Sequence, residues 1–366
     1  MAKTRVGIVF GGRSAEHEVS LQSAKSIIGA IDKTKYDIVL IGIDKEGRWY
    51  LNDASHYLLH EESPKLIQLQ PSPDELALVP GERSGQLINR AGDASIGTID
   101  VVFPVLHGTY GEDGTIQGLL KLANIPFVGA SVLGSAIGMD KDVAKRLLRD
   151  AGIPVAAFTT LASPEEADPD RIINELGIPL FVKPANLGSS VGITRVSSRE
   201  DLLPAIRLAF QYDRKVLVEE AVVGREIECS VLGNDDPVAS LPGEVIPHAE
   251  FYSYEAKYVD ENGAALEIPA RLEEAERSLI QRLAVKAFKV LCCEGMARVD
   301  FFLKANGAAL INEINTIPGF TRISMYPKLW EVSGLPYPAL IDRLIELAIE
   351  RHRRERALRT TFDLKG

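Results

Sequence analysis

The residues whose types and spacing most clearly allow chemistry lie in a predicted β-hairpin with an Asn-Gly turn at 306–307. Asn-Gly between two apolar runs favours a two-residue type I′ turn, because both residues tolerate a positive φ. Such a loop places Asp300 opposite Glu313. It also places Arg298 opposite Asn315, on the same side of the sheet as the acidic pair. Oxygen ligands from Asp, Glu and Asn side chains suit a hard cation such as Mg²⁺. For the hairpin taken alone, a solvated strand face neutralised by the arginine is the alternative.

A second candidate group surrounds Lys183, which lies in the apolar run 179–184 and precedes the Gly- and Ser-rich segment 185–192. A lysine within an apolar strand needs either an anion or a surface. Successive backbone N–H groups in the segment that follows could bind a phosphate group. The segment is not a P-loop, because the Gly-Lys-Ser/Thr ending that opens a helix is missing.

Two glycine-rich loops near the N-terminus carry further polar residues. Residues 5–10 predict a strand that ends in a glycine turn with Glu16, and residues 20–31 have helical spacing. This is the opening unit of a parallel α/β sheet, whose ligands gather at the carboxyl ends of the strands. Glu16 could bind an ammonium group or simply favour the helix macrodipole. His107, after a strand predicted at 100–106, could be a site residue or a hydrogen-bonding turn residue.

The remaining elements must position these loops. Residues 60–98 are rich in Pro, Ser, Gly and charge, and we expect a surface insertion there. The basic run 351–356 is expected to form a solvated helix face. Strands are predicted at 36–43, 126–128 and 216–220, and helices at 138–152 (with Lys141), 279–291 and 340–349.

Composition restricts the class of protein. At 366 residues, the chain is too long for one ordinary domain and predicts two or three. Its 41 basic and 51 acidic residues give a net charge of −10, which argues against non-specific binding to nucleic acid or anionic membranes. No apolar run approaches the roughly 18 residues of a membrane span, and no signal peptide precedes the first strand. Three cysteines without CxxC spacing predict reduced thiols and a cytoplasmic protein.

Taken together, the motifs resemble the ATP-grasp superfamily and, within it, the D-alanine–D-alanine ligase family. The order and spacing of the motifs carry this resemblance over nearly the whole chain. They are Gly11–Ser20, His107-Gly108 with Glu112–Gly114, Met139–Lys141, Lys183-Pro184 with Gly188–Gly192, Glu255–Tyr258, Arg298–Asp300, and Asn312–Asn315 with Pro318-Gly319 and Ser324.

The resemblance implies an α/β fold, with α+β character in the ATP-grasp part, and ATP held between two sheets. It implies three domains: an N-terminal parallel-sheet substrate domain (1–130), a central ATP-grasp subdomain (131–220) and a C-terminal subdomain with the metal site (221–366). The residues implied at ATP are Lys141, Lys183 and Lys257 at the phosphates, Ser190 in the phosphate loop, Glu219, Glu220 and Val222 at adenine, Glu226 at the ribose, and Asn312.

The resemblance also implies a metal site and a substrate site. Two Mg²⁺ ions, which Mn²⁺ can replace, would be held by Asp300, Glu313 and Asn315. Glu16 would bind the ammonium group of the first D-alanine, with His107 in the same site, and Tyr258 would be linked through Ser189 to Glu16. Ser324 and Met325 would bind the carboxylate of the second D-alanine. Arg298 and the Gly319 N–H would stabilise the developing oxyanion.

The activity implied is ligation of two D-alanine molecules by an ATP-dependent enzyme, through an acyl phosphate, for peptidoglycan precursor synthesis. A homodimer is expected. A D-alanine–D-lactate ligase or another ATP-grasp carboxylate–amine ligase is one alternative, and a nucleotide-binding regulatory protein without turnover is another. Arg298 argues against a regulatory protein without turnover, because an oxyanion donor serves catalysis and not ATP affinity.

Overall fold

The computed structural model describes residues 3–80, 87–90, 97–188, 191–247 and 264–359. Three larger β-sheets organise these residues, with helices packed against them. The three cysteines are free thiols, as predicted. Within the described ranges, no helix is both long enough and apolar enough to cross a membrane.

The first sheet carries the two N-terminal loops. The elements here are β1 (Thr4–Gly11), α1 (His17–Ala30), β2 (Tyr36–Ile43), β3 (Trp49–Asn52), β4 (Leu58–Leu59), β5 (Gln68–Leu69), β6 (Glu75–Leu78), β7 (Leu87–Asn89), β8 (Val101–Val105) and α2 (Thr115–Leu122). The strand order is β7-β6-β3-β2-β1-β8, and β1 runs parallel to β2 and β8. The carboxyl ends of β1 and β8 therefore lead into the loops with Glu16 and His107. The strand predicted at 126–128 is only a bridge between Val102 and Phe127.

The segment 60–98 is more than the surface insertion that its composition predicts. β6 and β7 extend the first sheet through antiparallel pairing with β3 and with each other. Ile67, Leu76 and Leu87 are buried. The prediction is wrong for these residues, because even brief apolar runs can pair along a sheet edge and be covered.

The second sheet is antiparallel and lies in the middle of the chain. Its elements and the helices before and around it are α3 (Val132–Met139), α4 (Lys141–Asp150), β9 (Phe158–Leu161), α5 (Pro169–Leu176), β10 (Leu180–Pro184), β11 (Thr194–Val196), α6 (Arg199–Ala209) and β12 (Val216–Glu220), with the strand order β11-β10-β12-β9. The single helix predicted from Gly138 to Gly152 is wrong at its start. Asp140 interrupts it and accepts the backbone N–H of Val143 at 3.0 Å, so that Lys141 is the first residue of α4.

The third sheet carries the predicted hairpin. Its elements and helices are β13 (Arg225–Gly233), β14 (Val238–Ala239), β15 (Gly243–Pro247), β16 (Ala264–Glu267), α7 (Glu274–Val290), β17 (Gly295–Leu303), β18 (Ala309–Asn315), α8 (Met325–Val332) and α9 (Tyr337–Arg356). The strand order is β16-β15-β13-β17-β18, with β14 paired to β13. Ile280 and Phe288 of α7 pack on Val299 and Ile311 of the hairpin, which buries one face of the sheet. The opposite face is left for polar residues.

The turn of the hairpin differs from the prediction. Lys304 and Ala308 close it through a backbone hydrogen bond of 2.9 Å, so the loop has three residues, 305–307. Gly307 has φ +80°, whereas Asn306 has no positive φ. The two-residue type I′ turn is therefore wrong, since only one of its two central residues adopts the required conformation.

The basic run at the end of α9 is not uniformly solvated. Arg351 is buried and donates to the carbonyl oxygens of Phe127 (2.8 Å) and Gly129. Its guanidinium lies 4.5 Å from the centre of the Phe127 ring. The prediction of a solvated face is wrong for this residue and holds for the exposed Arg353. Helix α9 thereby attaches the C-terminal part of the chain to the first sheet.

Each large sheet falls within one of the ranges 1–130, 131–220 and 221–366. However, Leu340 and Leu344 of α9 join the core of the first sheet. The three-domain division stays a prediction.

Candidate active site

The hairpin β17–β18 places the predicted acidic pair face to face. Asp300 pairs with Glu313, and Arg298 pairs with Asn315. The register shifts by one residue between Asp300 and Phe301, which is a β-bulge. The longer turn and the bulge compensate each other. The predicted register is therefore correct at the site, although the turn that motivated it is not.

The bulge also brings two neighbouring side chains towards lysines. Glu313 Oε2 lies 3.3 Å from Lys141 Nζ, and Lys183 Nζ donates to Asn312 Oδ1 at 3.4 Å. In a regular strand, the consecutive residues Asn312 and Glu313 would point to opposite faces of the sheet. We call Lys141, Lys183, Asn312 and Glu313 the lysine–hairpin site. It joins α4, β10 and β18.

Asp300 is the centre of a charged network beside this site. Arg298 donates to both Asp300 carboxylate oxygens at 2.7 Å, and Asn315 Nδ2 donates to Asp300 Oδ2 at 3.0 Å. Arg298 Nε also lies 2.9 Å from Glu228 Oε2 on the neighbouring strand β13. Glu228 is not among the site residues predicted from the sequence. The alternation of Glu226 and Glu228 along a strand was the signal that could have indicated it.

The donor set on this face fits Mg²⁺. Asp300 and Glu313 offer carboxylates and Asn315 an amide oxygen, and Mg²⁺ takes few protein ligands while keeping positions for water and phosphate oxygens. In the part of the chain described, no cluster of three or more His, Cys, Asp or Glu side chains is suited to a metal ion. The fit therefore rests on two carboxylates and one amide.

A buried group of three charges lies behind Lys183. Glu219 Oε1 accepts from Lys183 Nζ at 2.7 Å, and Glu219 Oε2 lies 2.6 Å from Lys145 Nζ. The side chains of Glu219 and Lys145 are only 1% and 2% exposed. Burial alone would raise the pKa of Glu219, but the two ammonium groups outweigh burial and lower this pKa to about 2. Lys145 was not predicted, because a lysine on a charged helix is usually solvated.

Helix α4 is held in place from its N-terminal end. Lys215 Nζ donates to Asp140 Oδ2 at 2.6 Å and to Asp142 Oδ2 at 3.1 Å. Lys141 Nζ donates to the backbone oxygen of Leu187 at 2.7 Å. These contacts fix the helix against the second sheet and direct its first lysine towards the Gly- and Ser-rich segment.

Glu16 lies where the two glycine-rich loops meet. Its side chain is buried, and a Cβ on Gly108 would collide with its Oε2, so glycine leaves room for this carboxylate. Glu112 accepts the backbone N–H groups of Gly108 (2.8 Å) and Ile317 (3.1 Å). Burial, and then the nearby carboxylate of Glu16, raise the pKa of Glu112 to about 8. Two carboxyl groups in one pocket suit an ammonium ligand. Glu112 belongs to the motif Glu112–Gly114, which does not by itself indicate a role for this residue.

His107 connects the first sheet to the turn after the hairpin. Its Nδ1 lies 3.0 Å from the backbone oxygen of Ile317, and its Nε2 lies 3.0 Å from Ser23 Oγ. Ser23 Oγ also accepts the backbone N–H of Phe320 at 3.2 Å. Both ring nitrogens thus have partners, so the ring positions the 317–320 turn and offers no free nitrogen to a ligand. Burial lowers the pKa of His107 to about 4.

The same turn contains the residues predicted for the second substrate. A Cβ on Gly319 would lie 2.7 Å from Ser324 Oγ. That oxygen accepts the backbone N–H of Thr321 at 3.0 Å, which fixes its position. Met325 begins α8 and its side chain is buried. Its backbone N–H, which has no acceptor within the helix, is the part suited to a carboxylate.

The remaining predicted nucleotide residues lie on and between β12 and β13. Glu220 Oε1 accepts the backbone N–H of Ala157 at 2.9 Å, while Val222 and Glu226 are half-buried. The residues that fall outside the described ranges are Ser189, Ser190, Lys257 and Tyr258.

Comparison with known proteins gives the fold and family. Residues 5–130 match the family model described as D-ala D-ala ligase N-terminus, and residues 147–346 match D-ala D-ala ligase C-terminus. Among solved structures, the D-alanine-D-alanine ligase from Coxiella burnetii is 42% identical with a TM-score of 0.84, over 98% of this chain and 97% of that one. The VanG D-Ala:D-Ser ligase from Enterococcus faecalis is 38% identical with a TM-score of 0.82, over 95% and 100%. The predicted fold class is confirmed.

Curated relatives agree over the full length. A D-alanine–D-alanine ligase from Oceanobacillus iheyensis is 59% identical over 361 residues, covering 98% of this chain and 99% of the relative. D-alanine–D-alanine ligase A from Escherichia coli K12 is 56% identical over 364 residues, covering 99% and 100%. The chain therefore belongs to the D-alanine–D-alanine ligase family.

Proposed function

We propose that this enzyme joins two molecules of D-alanine to D-alanyl-D-alanine, converting ATP to ADP and phosphate, for peptidoglycan precursor synthesis. One observation carries the proposal together with family membership. Lys141 Nζ of α4 lies 3.3 Å from Glu313 Oε2 of the hairpin, so a cation suited to a phosphate group adjoins a carboxylate suited to Mg²⁺. Such a pairing fits a metal–nucleotide complex.

ATP would occupy the lysine–hairpin site. Lys141 and Lys183 would contact the phosphates, and Glu219 would accept the adenine amino group. Mg²⁺, held by Asp300, Glu313 and Asn315, would supply neutralisation of phosphate charge when bound. The assignments of Asn312, Glu220, Val222 and Glu226 to ATP, and those of Ser190 and Lys257, are parts of the same proposal.

The first D-alanine would place its ammonium group at Glu16. Its carboxylate attacks the γ-phosphorus of ATP, the bond to ADP breaks, and an acyl phosphate forms. No protein nucleophile is needed, because the reaction depends on positioning and charge neutralisation. Glu112 supports this site by holding the Gly108 and Ile317 N–H groups in place.

The second D-alanine attacks the carbonyl carbon of the acyl phosphate with its neutral amine. The C–N bond forms, the C–O bond to phosphate breaks, and the proton lost by the amine leaves with the phosphate. Its carboxylate would lie at Ser324 and the Met325 N–H. Arg298, which reaches both Asp300 and Glu228, would stabilise the developing oxyanion together with the Gly319 N–H. The roles of Tyr258 and of Ser189, which would link Tyr258 to Glu16, are further parts of the same proposal.

The test is ADP release measured with ATP, Mg²⁺ and single candidate substrates. We expect release with D-alanine, none with L-alanine, and a product with the mass of the dipeptide. Equal mixtures of D-alanine with D-serine or D-lactate, analysed by mass spectrometry, distinguish the related ligase activities. Mainly mixed products would assign the chain to a different acceptor, and ATP binding without ADP release would overturn the proposal.

A cytoplasmic location and a homodimer are included in the proposal. Use of ATP as a substrate supports the first, and family resemblance supports the second. Light scattering of the purified protein should give twice the mass of one chain.

A further inference from the structure

Lys145 has the features of a functional residue without an assigned role. Its ammonium group is buried and lies 2.6 Å from Glu219 Oε2. Among the described residues, these two atoms have no hydrogen-bond partner other than each other, so their mutual ion pair compensates their burial. Buried charges are normally both paired and fully hydrogen-bonded. A carboxylate oxygen can accept more than one hydrogen bond, so Glu219 can still accept a donor from a ligand.

We propose that Lys145 is a positioning residue that fixes the direction of the Glu219 carboxylate for the exocyclic amino group of adenine. The inference rests on the proposed nucleotide site and adds to it the residue that determines base selectivity.

The two oxygens of Glu219 are held by different lysines. Oε1 accepts from Lys183, and Oε2 adjoins Lys145, so the plane of the carboxylate is fixed at both ends. Lys183 has a second contact, Asn312 Oδ1 at 3.4 Å, on the hairpin side. If Lys183 turns towards phosphate oxygens, Glu219 retains a cation only through Lys145. Lys145 thus leaves Lys183 available for the nucleotide.

Helix geometry supports this division of roles. Lys141 and Lys145 are four residues apart on α4 and therefore lie on one face, one turn apart. Lys141 reaches Glu313 of the third sheet, whereas Lys145 reaches Glu219 of the second. One helix thus contributes one cation to the metal side and one to the base side of the same nucleotide.

The experiment compares binding of ADP and of inosine diphosphate by titration calorimetry, with Mg²⁺ and without D-alanine. Hypoxanthine carries an oxygen where adenine carries the amino group, so a fixed carboxylate rejects it. We expect the wild type to bind ADP at least tenfold more tightly than inosine diphosphate. Lys145→Met should weaken ADP binding about tenfold and reduce the preference for ADP to about threefold or less. The control Lys121→Met removes an exposed lysine paired with Glu355 and should change neither value.

A second pair of variants separates positioning from stability. Lys145→Gln keeps one N–H donor for Glu219 Oε2 and replaces Lys145→Met if the latter does not fold. The double variant Lys145→Met/Glu219→Gln removes both charges. It should regain thermal stability lost by Lys145→Met, while the preference for ADP stays low. Lower stability with an unchanged preference for ADP in the single variants would make Lys145 a purely structural ion-pair partner and overturn the inference.

These outcomes are independent of ligation. A wild type that binds ADP selectively but makes no dipeptide would refute the proposed function and leave the role of Lys145 intact. A wild type that makes dipeptide but binds both nucleotides equally would refute the role of Lys145 alone.

Discussion

Asn312 and Glu313 are consecutive in the chain, yet both side chains contact lysines in the same site. Asn312 Oδ1 accepts from Lys183 at 3.4 Å, and Glu313 Oε2 lies 3.3 Å from Lys141. A regular strand would send them to opposite faces. The bulge after Asp300 breaks this alternation and lets one strand meet both α4 and β10.

The first prediction concerns the two facing carboxylates. Asp300→Asn combined with Glu313→Gln should abolish dipeptide formation, because the pair loses its charge and its affinity for Mg²⁺. The wild type should gain thermal stability when Mg²⁺ and ADP are added together, since ligands that bind the native state stabilise it. The double variant should fold and lose most of this gain. Full activity of the double variant would contradict the metal assignment.

The second prediction concerns Arg298. Arg298→Ala should lower kcat by about 10²-fold or more, the scale expected when one oxyanion donor is lost. The KM for ATP should change by less than about threefold, because the charge that Arg298 stabilises develops only in the transition state. Steady-state kinetics with saturating D-alanine measure both values.

A matched control lies in the same sheet. Arg225 forms a comparable ion pair with Glu244, at 2.6 Å, outside the proposed site. Arg225→Ala should leave kcat nearly unchanged. A change confined to KM in Arg298→Ala would make this arginine a substrate-positioning residue.

Sequence patterns predicted the parts of this site that depend on strand alternation and motif order. The pairing of Asp300 with Glu313 is one example, although the turn and the bulge that produce it were not foreseen. Local preference for a turn type cannot reveal a compensating bulge, because the bulge depends on pairing across the whole hairpin.

The burial of charged residues was the feature that the sequence predicted least well. Lys145 and Arg351 lie on helices with many charged neighbours, where a solvated face is the usual interpretation. Their burial is determined by elements distant in sequence: Glu219 on β12 for Lys145, and the carbonyl oxygens of Phe127 and Gly129 for Arg351. Such contacts leave no periodic signal in one chain.

The third prediction is a pH dependence of stability due to His107. Its folded pKa of about 4 lies below the ordinary 6.5, so between these values the unfolded chain binds more protons. The free energy of unfolding should therefore decrease as the pH falls from about 6.5 to 4, by on the order of 3 kcal/mol from this group. Protonation would also prevent His107 Nε2 from accepting a hydrogen bond from the Ser23 hydroxyl.

His107→Gln provides the comparison, because an amide can donate to Ile317 and accept from Ser23 but does not titrate. Urea unfolding at several pH values between 7.5 and 4.5 should give profiles that converge on acidification. Parallel profiles for the two proteins would exclude His107 as the source of the pH dependence of stability.

The fourth prediction concerns the buried Arg351. Arg351→Met removes two hydrogen bonds from a charged donor and leaves the carbonyl oxygens of Phe127 and Gly129 without this partner. The free energy of unfolding should fall by about 3 kcal/mol. Arg353→Met, on the exposed face of the same helix, should change it by no more than about 0.5 kcal/mol. Equal effects in urea unfolding would contradict the anchoring role of Arg351.

The last prediction concerns Gly319, whose absent side chain leaves room for Ser324. In Gly319→Ala, the new Cβ would lie 2.7 Å from Ser324 Oγ, which hydrogen bonds with Thr321 keep in place. Either the turn, whose Gly319 N–H is proposed to act on the oxyanion, or the serine, which is proposed to bind the carboxylate of the second D-alanine, must move. We expect kcat to fall and the KM for the second D-alanine to rise, together lowering kcat/KM by about tenfold or more, since small misplacements of binding groups cost this much.

Gly118→Ala is the control, because Gly118 lies inside α2 and a Cβ there would meet nothing within 4 Å. It should leave the kinetics unchanged and raise stability by up to about 1 kcal/mol. Normal kinetics in Gly319→Ala would show that the turn accommodates a side chain and that the position of Ser324 is less constrained than its hydrogen bonds indicate.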